Sequence, residues 1–541
     1  MRKLLRPIVL ELSVFLCGAL VMAYEIIGSR IVAPYIGTST YIWTSLIGVI
    51  LAALSLGYWL GGRFADRFPG LKALSAAIFL AGGAVSVTIL IKDAVLSAVA
   101  GAGGPLEVKA IAAATLLFAP ASVLLGFVTP YAVKLRTMSL EDAGKTVGRL
   151  YALSTIGSIA GTFAAGFFLV PFLGSTRTLY MIAALLFGIS LVLAPFAFTR
   201  TNFAAVTIFV FGIMLGEAGG YYFRTLRGLV DVDTEYSRIQ VFQSVDQKTG
   251  RRFRAIATDP YFAQSAMYLD DGSPVFEYTP FFGLVDHFKP DHRRTLMIGG
   301  AGYTIPKLYI RDNPAAEIDV VEIDSGMTKI ARKYFGLEDS PRMNIFHQDG
   351  RVFLNQAPSG IYDAVFLDAF GSLFSIPFQL TTVEAVQHLS RVLAGDGIVI
   401  VNIGSAIRGP ASQFLQAELA TFKSVFPHIF LFKPDPDRPD DQLQNVILIA
   451  AKNINGAPRR LLSPTETANH FPSRQDLSFG TSTSFEVPAV NLPADTNKTL
   501  AYLLSTAYLQ PVPLNLPPLT DNLAPVEHYN SRALQYFRTQ K

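Results

Sequence analysis

Hydrophobic positions along the chain fall into two regimes. Up to about residue 222 they run in long unbroken stretches, near 8–28, 43–60, 73–91, 110–131, 147–170, 178–198 and 203–222. Each is long enough for a helix to cross a ~30 Å hydrocarbon layer. Small residues recur within them, as in GSIAGTFAAG (157–166), SLGYWLGG (55–62) and AGGAVS (81–86). Such faces let helices approach closely in lipid, where no hydrophobic force drives them together. A cleavable leader does not explain the first run, because no small-residue cleavage site follows it and six further runs do. The pattern predicts a membrane all-α domain over 1–225, with about seven helices.

After residue 223 the period changes. SRIQVFQSV (237–245) and RRFRAIAT (251–258) alternate apolar and polar positions as strands do, with DQKTG as the turn between them. A small β unit is expected over 226–290. From 291 to 455 near-continuous apolar runs alternate with helical patterns. The strands are 295–300, 317–324, 343–349, 362–370, 397–403 and 444–452, and the helices 304–312, 326–335, 352–357, 382–394 and 411–425. That alternation predicts a Rossmann-like, methyltransferase-type α/β domain, a parallel sheet covered on both faces. The stretch 456–541, rich in Pro, Thr and Asn, is expected to be an irregular extension.

Composition sharpens this picture in three ways. Of the 541 residues 51% are hydrophobic, and the mean hydropathy is +0.37, which suits a membrane chain. The formal net charge of +4 is spread without a basic block, so nucleic acid is not an expected partner. The single cysteine, Cys17, excludes a disulfide framework and a Cys-based zinc site, and the seven histidines show no ligand spacing; no metal is expected. Under an alternating span count Arg2, Lys3, Arg6, Arg63, Arg67, Lys72, Lys134, Arg136, Lys145 and Arg149 share one side. That puts the N-terminus in the cytoplasm. Seven spans would then leave the C-terminal domain outside, whereas its chemistry calls for a cytoplasmic metabolite. The segment 93–109 is the place where a re-entrant piece would restore the parity.

Ligands of parallel sheets bind beyond the carboxyl ends of the strands, and three strand ends carry the relevant residues. Gly299, Gly300 and Gly302 form a loop that lets backbone approach a ligand. Glu322, about twenty residues on, stands where an acid accepts from ribose hydroxyls. Asp349-Gly350 closes the third strand, suited to an adenine amino group. The third glycine of G-x-G-x-x-G is absent, since position 305 is Ile, and no G-K-[ST] follows. This points to an adenosyl ligand without pyrophosphate. Asp368 ends the fourth strand, where the reactive end of a nucleoside projects. It reads either as a turn residue or as a carboxylate that takes a proton from an amine nucleophile.

These residues, IGGAGYT, VVEID, HQDGRVFL and YDAVFLDAF, resemble the spermidine synthase family of aminopropyltransferases, and more closely its membrane-fused branch. Supporting stretches are 24–67, 148–174 and PLTDNLAPVEHY at 518–529. The resemblance implies transfer of an aminopropyl group from decarboxylated S-adenosylmethionine, as co-substrate, to putrescine. It implies no required cofactor or metal, a multi-pass protein of the bacterial cell membrane with a cytoplasmic catalytic domain, and a homodimer. Carried over by position, Glu322 binds ribose, Asp349 adenine, Asp368 is catalytic, and Gln264 touches the nucleoside. Tyr303, Glu277, Tyr278 and Asp521 are carried over as substrate-binding positions.

Departures bear on the amine. The acid of the family's G-G-G-D-G loop is missing, with Tyr303 standing there, and Gly371 replaces a second acid three residues past Asp368. Replacement carboxylates come from Glu277, Asp270, Asp271 or Asp521. The rival readings are an S-adenosylmethionine-dependent methyltransferase and a polyamine transporter or sensor. In the first span, Glu25 is expected either to pair with Arg30 or to serve a cationic polyamine.

Overall fold

The computed structural model describes residues 2–37, 39–137, 143–194, 229–258, 262–369, 376–453, 484–485, 498–530 and 533. The chain divides into two compact units, Met1–Phe242 with Ala257–Phe262, and Gln243–Ile256 with Ala263–Lys541. The division cuts through the small β region instead of falling at 225.

The first unit is helical. Five helices are long and apolar enough to cross a membrane: Pro7–Ala33 within α1 (Arg2–Ile36), α2 (Thr40–Arg67), α3 (Leu71–Gly101), Ala143–Leu173, and Ser175–Leu193. A sixth candidate is the pair Leu106–Leu117 and Ala119–Arg136, bent by 53°. The expected span 110–131 is therefore broken. Pro120, in the first turn after the break, lacks the N–H and blocks the carbonyl that a continuous helix would use. The segment 93–109 is not the re-entrant piece; α3 runs on to Gly101 and the break falls at Phe118. The expected span 203–222 lies outside the described residues.

Glycines set the closest helix contacts. A methyl group at Gly157 or Gly161 would stand 2.0 or 2.1 Å from the carbonyl oxygens of Phe15 and Ala19, so α1 and the helix Ala143–Ala164 touch through backbone. Gly57 makes the same kind of contact with Val123. Outward positions such as Leu51, Trp59, Leu90, Phe168 and Phe172 are exposed. Apolar exposure on this scale inverts the soluble pattern and suits a lipid-facing surface.

Four strands, β1 (Val230–Asp233), β2 (Arg238–Val245), β3 (Arg252–Ala257) and β4 (Ala263–Tyr268), form a sheet in chain order. The predicted turn sits between β2 and β3, where the Asp246 carboxylate accepts from Lys248 N–H and the Thr249 and Tyr268 hydroxyls.

The second unit is built on a seven-stranded sheet, order β10-β11-β9-β8-β5-β6-β7. The strands are β5 (Arg294–Ile298), β6 (Glu317–Val321), β7 (Met343–Phe346), β8 (Tyr362–Leu367), β9 (Leu393–Ser405), β10 (His428–Phe432) and β11 (Gln444–Ala451). β5 to β9 are parallel, and β11 runs antiparallel between β9 and β10. This is the methyltransferase-type Rossmann-like arrangement. β10, HIFLF, is a strand the hydrophobic pattern did not single out. The chain leaves β5 to one side for β6 and β7 and to the other for β8 and β9, so the ligand crevice belongs at the carboxyl ends of β5 and β8. Buried apolar residues cover both faces, Leu296, Val365 and Val399 on one and Phe366, Ile318 and Ile400 on the other.

Part of the extension is described. Lys498–Ser505 is helical. Leu519 donates its N–H to Thr421 Oγ1 at 2.8 Å and accepts from Val383 N–H, also at 2.8 Å, which docks the stretch around Asp521 onto the α/β unit.

Candidate active site

The glycine loop begins where β5 ends, beside the end of β8. Asp368 N–H donates to the Ile298 carbonyl at 3.0 Å. Gly299 has φ 95°, and a methyl group there would stand 2.3 Å from the Asp368 carbonyl oxygen. Only glycine satisfies both the left-handed backbone and the contact. Ala301 and Tyr303 also have positive φ, 43° and 54°. Backbone held in this region by side-chain residues is strained and persists where its surroundings impose it. Here they do. Glu322 Oε2 accepts from Gly300 N–H at 2.8 Å and Ala301 N–H at 3.1 Å, while Oε1 accepts from Asp324 N–H at 2.9 Å. Burial pushes the Glu322 carboxyl up from its ordinary range, and these three donors oppose that shift. The carboxylate has about four acceptor positions, so three are engaged in shaping the loop.

The loop also explains the missing acid. Position by position, Gly302 and not Tyr303 stands where G-G-G-D-G carries its acid. A methyl group at Gly302 would lie 2.5 Å from Ser265 Oγ, so no carboxylate fits while β4 packs there. Tyr303 is corrected as a substrate contact: it is fully buried, and its hydroxyl pairs with Thr328 Oγ1 at 2.7 Å. With no accessible surface it serves the packing of the unit.

At the end of β7, Asp349 caps the helix Gly350–Gln356, its Oδ1 accepting from Arg351 and Val352 N–H at 2.8 and 3.0 Å. Among the described residues no hydrogen bond reaches Oδ2, which remains an acceptor. A methyl group at Gly350 would meet Ile298 Cγ2 at 2.6 Å, so glycine lets this helix seat against β5.

Asp368 is gripped from two sides. Tyr278 donates its hydroxyl to Oδ2 at 3.2 Å, and Asn402 donates Nδ2–H to Oδ1 at 3.0 Å. Desolvation raises its carboxyl to about 6, against these two bonds. Tyr278 thus belongs to the site as a support of Asp368, buried and stacked on Phe276 at 5.7 Å. Asn402 was not anticipated, although a lone amide in the apolar strand GIVIVNIGS signals it. Its Oδ1 is buried and has no hydrogen-bond partner among the described residues, an acceptor beside the Asp368 carboxylate.

The expected replacement acids stand elsewhere. Glu277 is exposed and pairs with Lys248 at 3.0 Å. Asp270 and Asp271 both pair with Arg251. Asp521 accepts from Arg351 and the Thr382 hydroxyl at 2.8 and 2.6 Å and so braces two helices. Glu277 and Asp521, expected as amine-binding positions, thus each face a basic partner in this structure. Gln264 is half-buried on β4, next to the Ser265 that packs on the loop. Gly371 lies outside the described residues. Ile323, directly after Glu322, is an exposed apolar residue at the strand ends that sequence reading passed over.

Residues 280–431 match the Spermine/spermidine synthase domain. A polyamine aminopropyltransferase of Vibrio vulnificus (strain CMCP6) is 32% identical over 148 residues, 27% of this chain and 48% of that protein. This chain therefore spans about half the length of that relative. Polyamine aminopropyltransferase 2 of Streptomyces coelicolor is 26% identical over 416 residues, 72% of this chain and 73% of the relative. That alignment is longer than the chain after Phe242, so it reaches into the helical unit. Among solved structures, a probable spermidine synthase from Corynebacterium glutamicum is 22% identical, covering 41% of this chain and 80% of its own, with a TM-score of 0.36. The resemblance read from the strand-end motifs is borne out by these matches, and the Spermine/spermidine synthase match falls on the α/β unit.

Proposed function

We propose that this chain is a membrane-integral aminopropyltransferase. It moves an aminopropyl group from decarboxylated S-adenosylmethionine to a diamine such as putrescine and releases methylthioadenosine, with its catalytic unit facing the cytoplasm, where adenosyl substrates are made. The observation that carries this reading is Asp368, a carboxylate raised to about 6 and aimed by Tyr278 and Asn402 at the end of β8.

An alkylammonium with pKa ~10 must lose a proton before it attacks. A carboxylate at about 6 is ionised at neutral pH and closer in basicity to the amine than an ordinary aspartate, which favours transfer. The amine nitrogen then forms a C–N bond to the aminopropyl carbon as the C–S bond breaks. The electron pair goes to sulfur, the sulfonium becomes a neutral thioether, and the amine proton passes to Asp368. Such a leaving group asks mainly for in-line alignment. In this reading the backbone of the Gly299, Gly300 and Gly302 loop faces the nucleoside, Glu322 takes a ribose hydroxyl, Asp349 Oδ2 and Gly350 meet adenine, and Gln264 flanks the nucleoside.

The test incubates the purified full chain with decarboxylated S-adenosylmethionine and putrescine and follows methylthioadenosine and spermidine by mass spectrometry. Both products are expected. No product with several diamines, together with turnover of S-adenosylmethionine, would overturn the reading in favour of a methyltransferase.

A further inference from the structure

We propose that Glu25 anchors a binding site for a primary alkylammonium ion within the helical unit. The inference rests on reading that unit as membrane-spanning. Glu25 lies in the span Pro7–Ala33, eight residues before its end, or about 12 Å of helix at 1.5 Å per residue. It is only 8% exposed. The expected partner is engaged elsewhere: the Arg30 guanidinium donates to the backbone carbonyls of Thr234 and Glu235. Among the described residues no hydrogen bond or ion pair reaches the Glu25 carboxylate.

The contrast with the other charges of this unit is informative. Glu11 pairs with Arg149 at 2.8 Å and lies 3.9 Å from Arg136. Buried Lys92 pairs with Asp93 at 2.8 Å, and buried Lys109 donates to the Ala100 carbonyl at 2.7 Å. Every one of these is compensated, and Glu25 is not. A lone carboxylate at membrane depth is costly and marks a place where a cation arrives.

The helices packed on this stretch of α1 are irregular in the way helices around binding sites are. Its neighbour Tyr24 donates its hydroxyl to the Leu117 carbonyl at 2.9 Å, and Thr88 donates to the same oxygen at 2.7 Å. That carbonyl ends the helix Leu106–Leu117, where the broken span turns. Phe118, at the break, packs edge-on against Tyr24 at 5.1 Å, and its ring lies 3.2 Å from where a methyl on Gly28 would stand. Gly28 shares a helix face with Glu25, three residues away. The helix that packs along α1 also loosens into a π-turn, Ala165–Leu169. Broken helices and π-turns at membrane depth are tolerated inside protein and gather at substrate sites.

The chemistry selects the cation. Hard divalent ions need about six oxygen ligands, and among the described residues no group of three or more His, Cys, Asp or Glu could hold a metal. An alkylammonium needs one carboxylate for its charge and apolar or aromatic surface for its stem. Val21 and Met22, one turn before Glu25 on the same face of α1, provide apolar surface, and amines are the compounds the proposed transfer consumes and produces.

The test places the full chain in phosphatidylcholine nanodiscs and measures radiolabelled putrescine bound per chain by equilibrium dialysis. Two saturable sites are expected, one lost in Asp368→Asn and the other in Glu25→Gln. Glu25→Asp should retain the second site, and Glu25→Gln should leave methylthioadenosine formation unchanged, which shows that it folds. A single site lost in Asp368→Asn alone, or a Glu25→Gln chain that binds as wild type does, would overturn the inference. If transfer activity is absent but a Glu25-dependent site persists, the functional proposal fails and this one stands.

Discussion

At the scale of single residues, the proposed chemistry rests on Asp368, and the glycines set what fits beside it. The Asp368 carboxyl is raised to about 6, so it is a base above that pH and a neutral acid below. The transfer rate is therefore expected to fall as pH drops through about 6, and a pH–rate profile checks this. Asp368→Asn should lower kcat by roughly 10²–10⁴-fold, the usual worth of a general base, and should erase that acid limb. Gly299 has a different vulnerability. Alanine there would need a left-handed backbone and would collide with the Asp368 carbonyl. Gly299→Ala should cost on the order of 1–3 kcal/mol in a denaturant titration of the solubilised protein. Gly302→Asp, which writes the soluble family's acid back into the loop, should impair the site, because Ser265 occupies the space.

At the scale of elements, the site depends on how strand ends are tied together. Glu322 clamps the glycine loop through backbone N–H groups, so β6 holds the conformation of the β5 turn. Asp521 performs a similar service from the far end of the chain, joining Arg351 and Thr382 on two neighbouring helices. Its carboxylate is half exposed, so Asp521→Ala should change global stability by only about 0.2–1 kcal/mol. The same change should raise the KM for the nucleoside while kcat holds, since the loosened helix begins at Asp349. In the helical unit, Gly161 lets α1 lie against its neighbour through bare backbone. Gly161→Leu should separate the two helices and lower the thermal midpoint in detergent.

At the scale of the whole molecule, the chain joins a helical unit with five to six candidate spans to a methyltransferase-type α/β unit. Its exposed apolar helix faces predict that the protein stays with the membrane pellet after alkaline carbonate washing. Release into the supernatant would contradict a membrane-spanning unit and, with it, the Glu25 site.

Much of this was legible along the chain. Span lengths, strand periodicity and the motifs around Glu322, Asp349 and Asp368 are local patterns, because the hydrophobic period and the glycine at a turn follow from covalent geometry over a few residues. The break at Phe118 was locally signalled by Pro120 but masked by an unbroken apolar run. The rest depends on residues distant in the chain meeting in space. No local rule brings Asn402 and Tyr278 onto one carboxylate, buries Tyr303 against Thr328, or occupies Asp521 with Arg351. Whether an acid is a base, a brace or a surface charge is set by its neighbours' charges and by its access to water. Sequence alone determined the fold class and the strand ends that carry the proposed site. Packing decided which carboxylates remain free to act, because electrostatics depends on three-dimensional distance and burial.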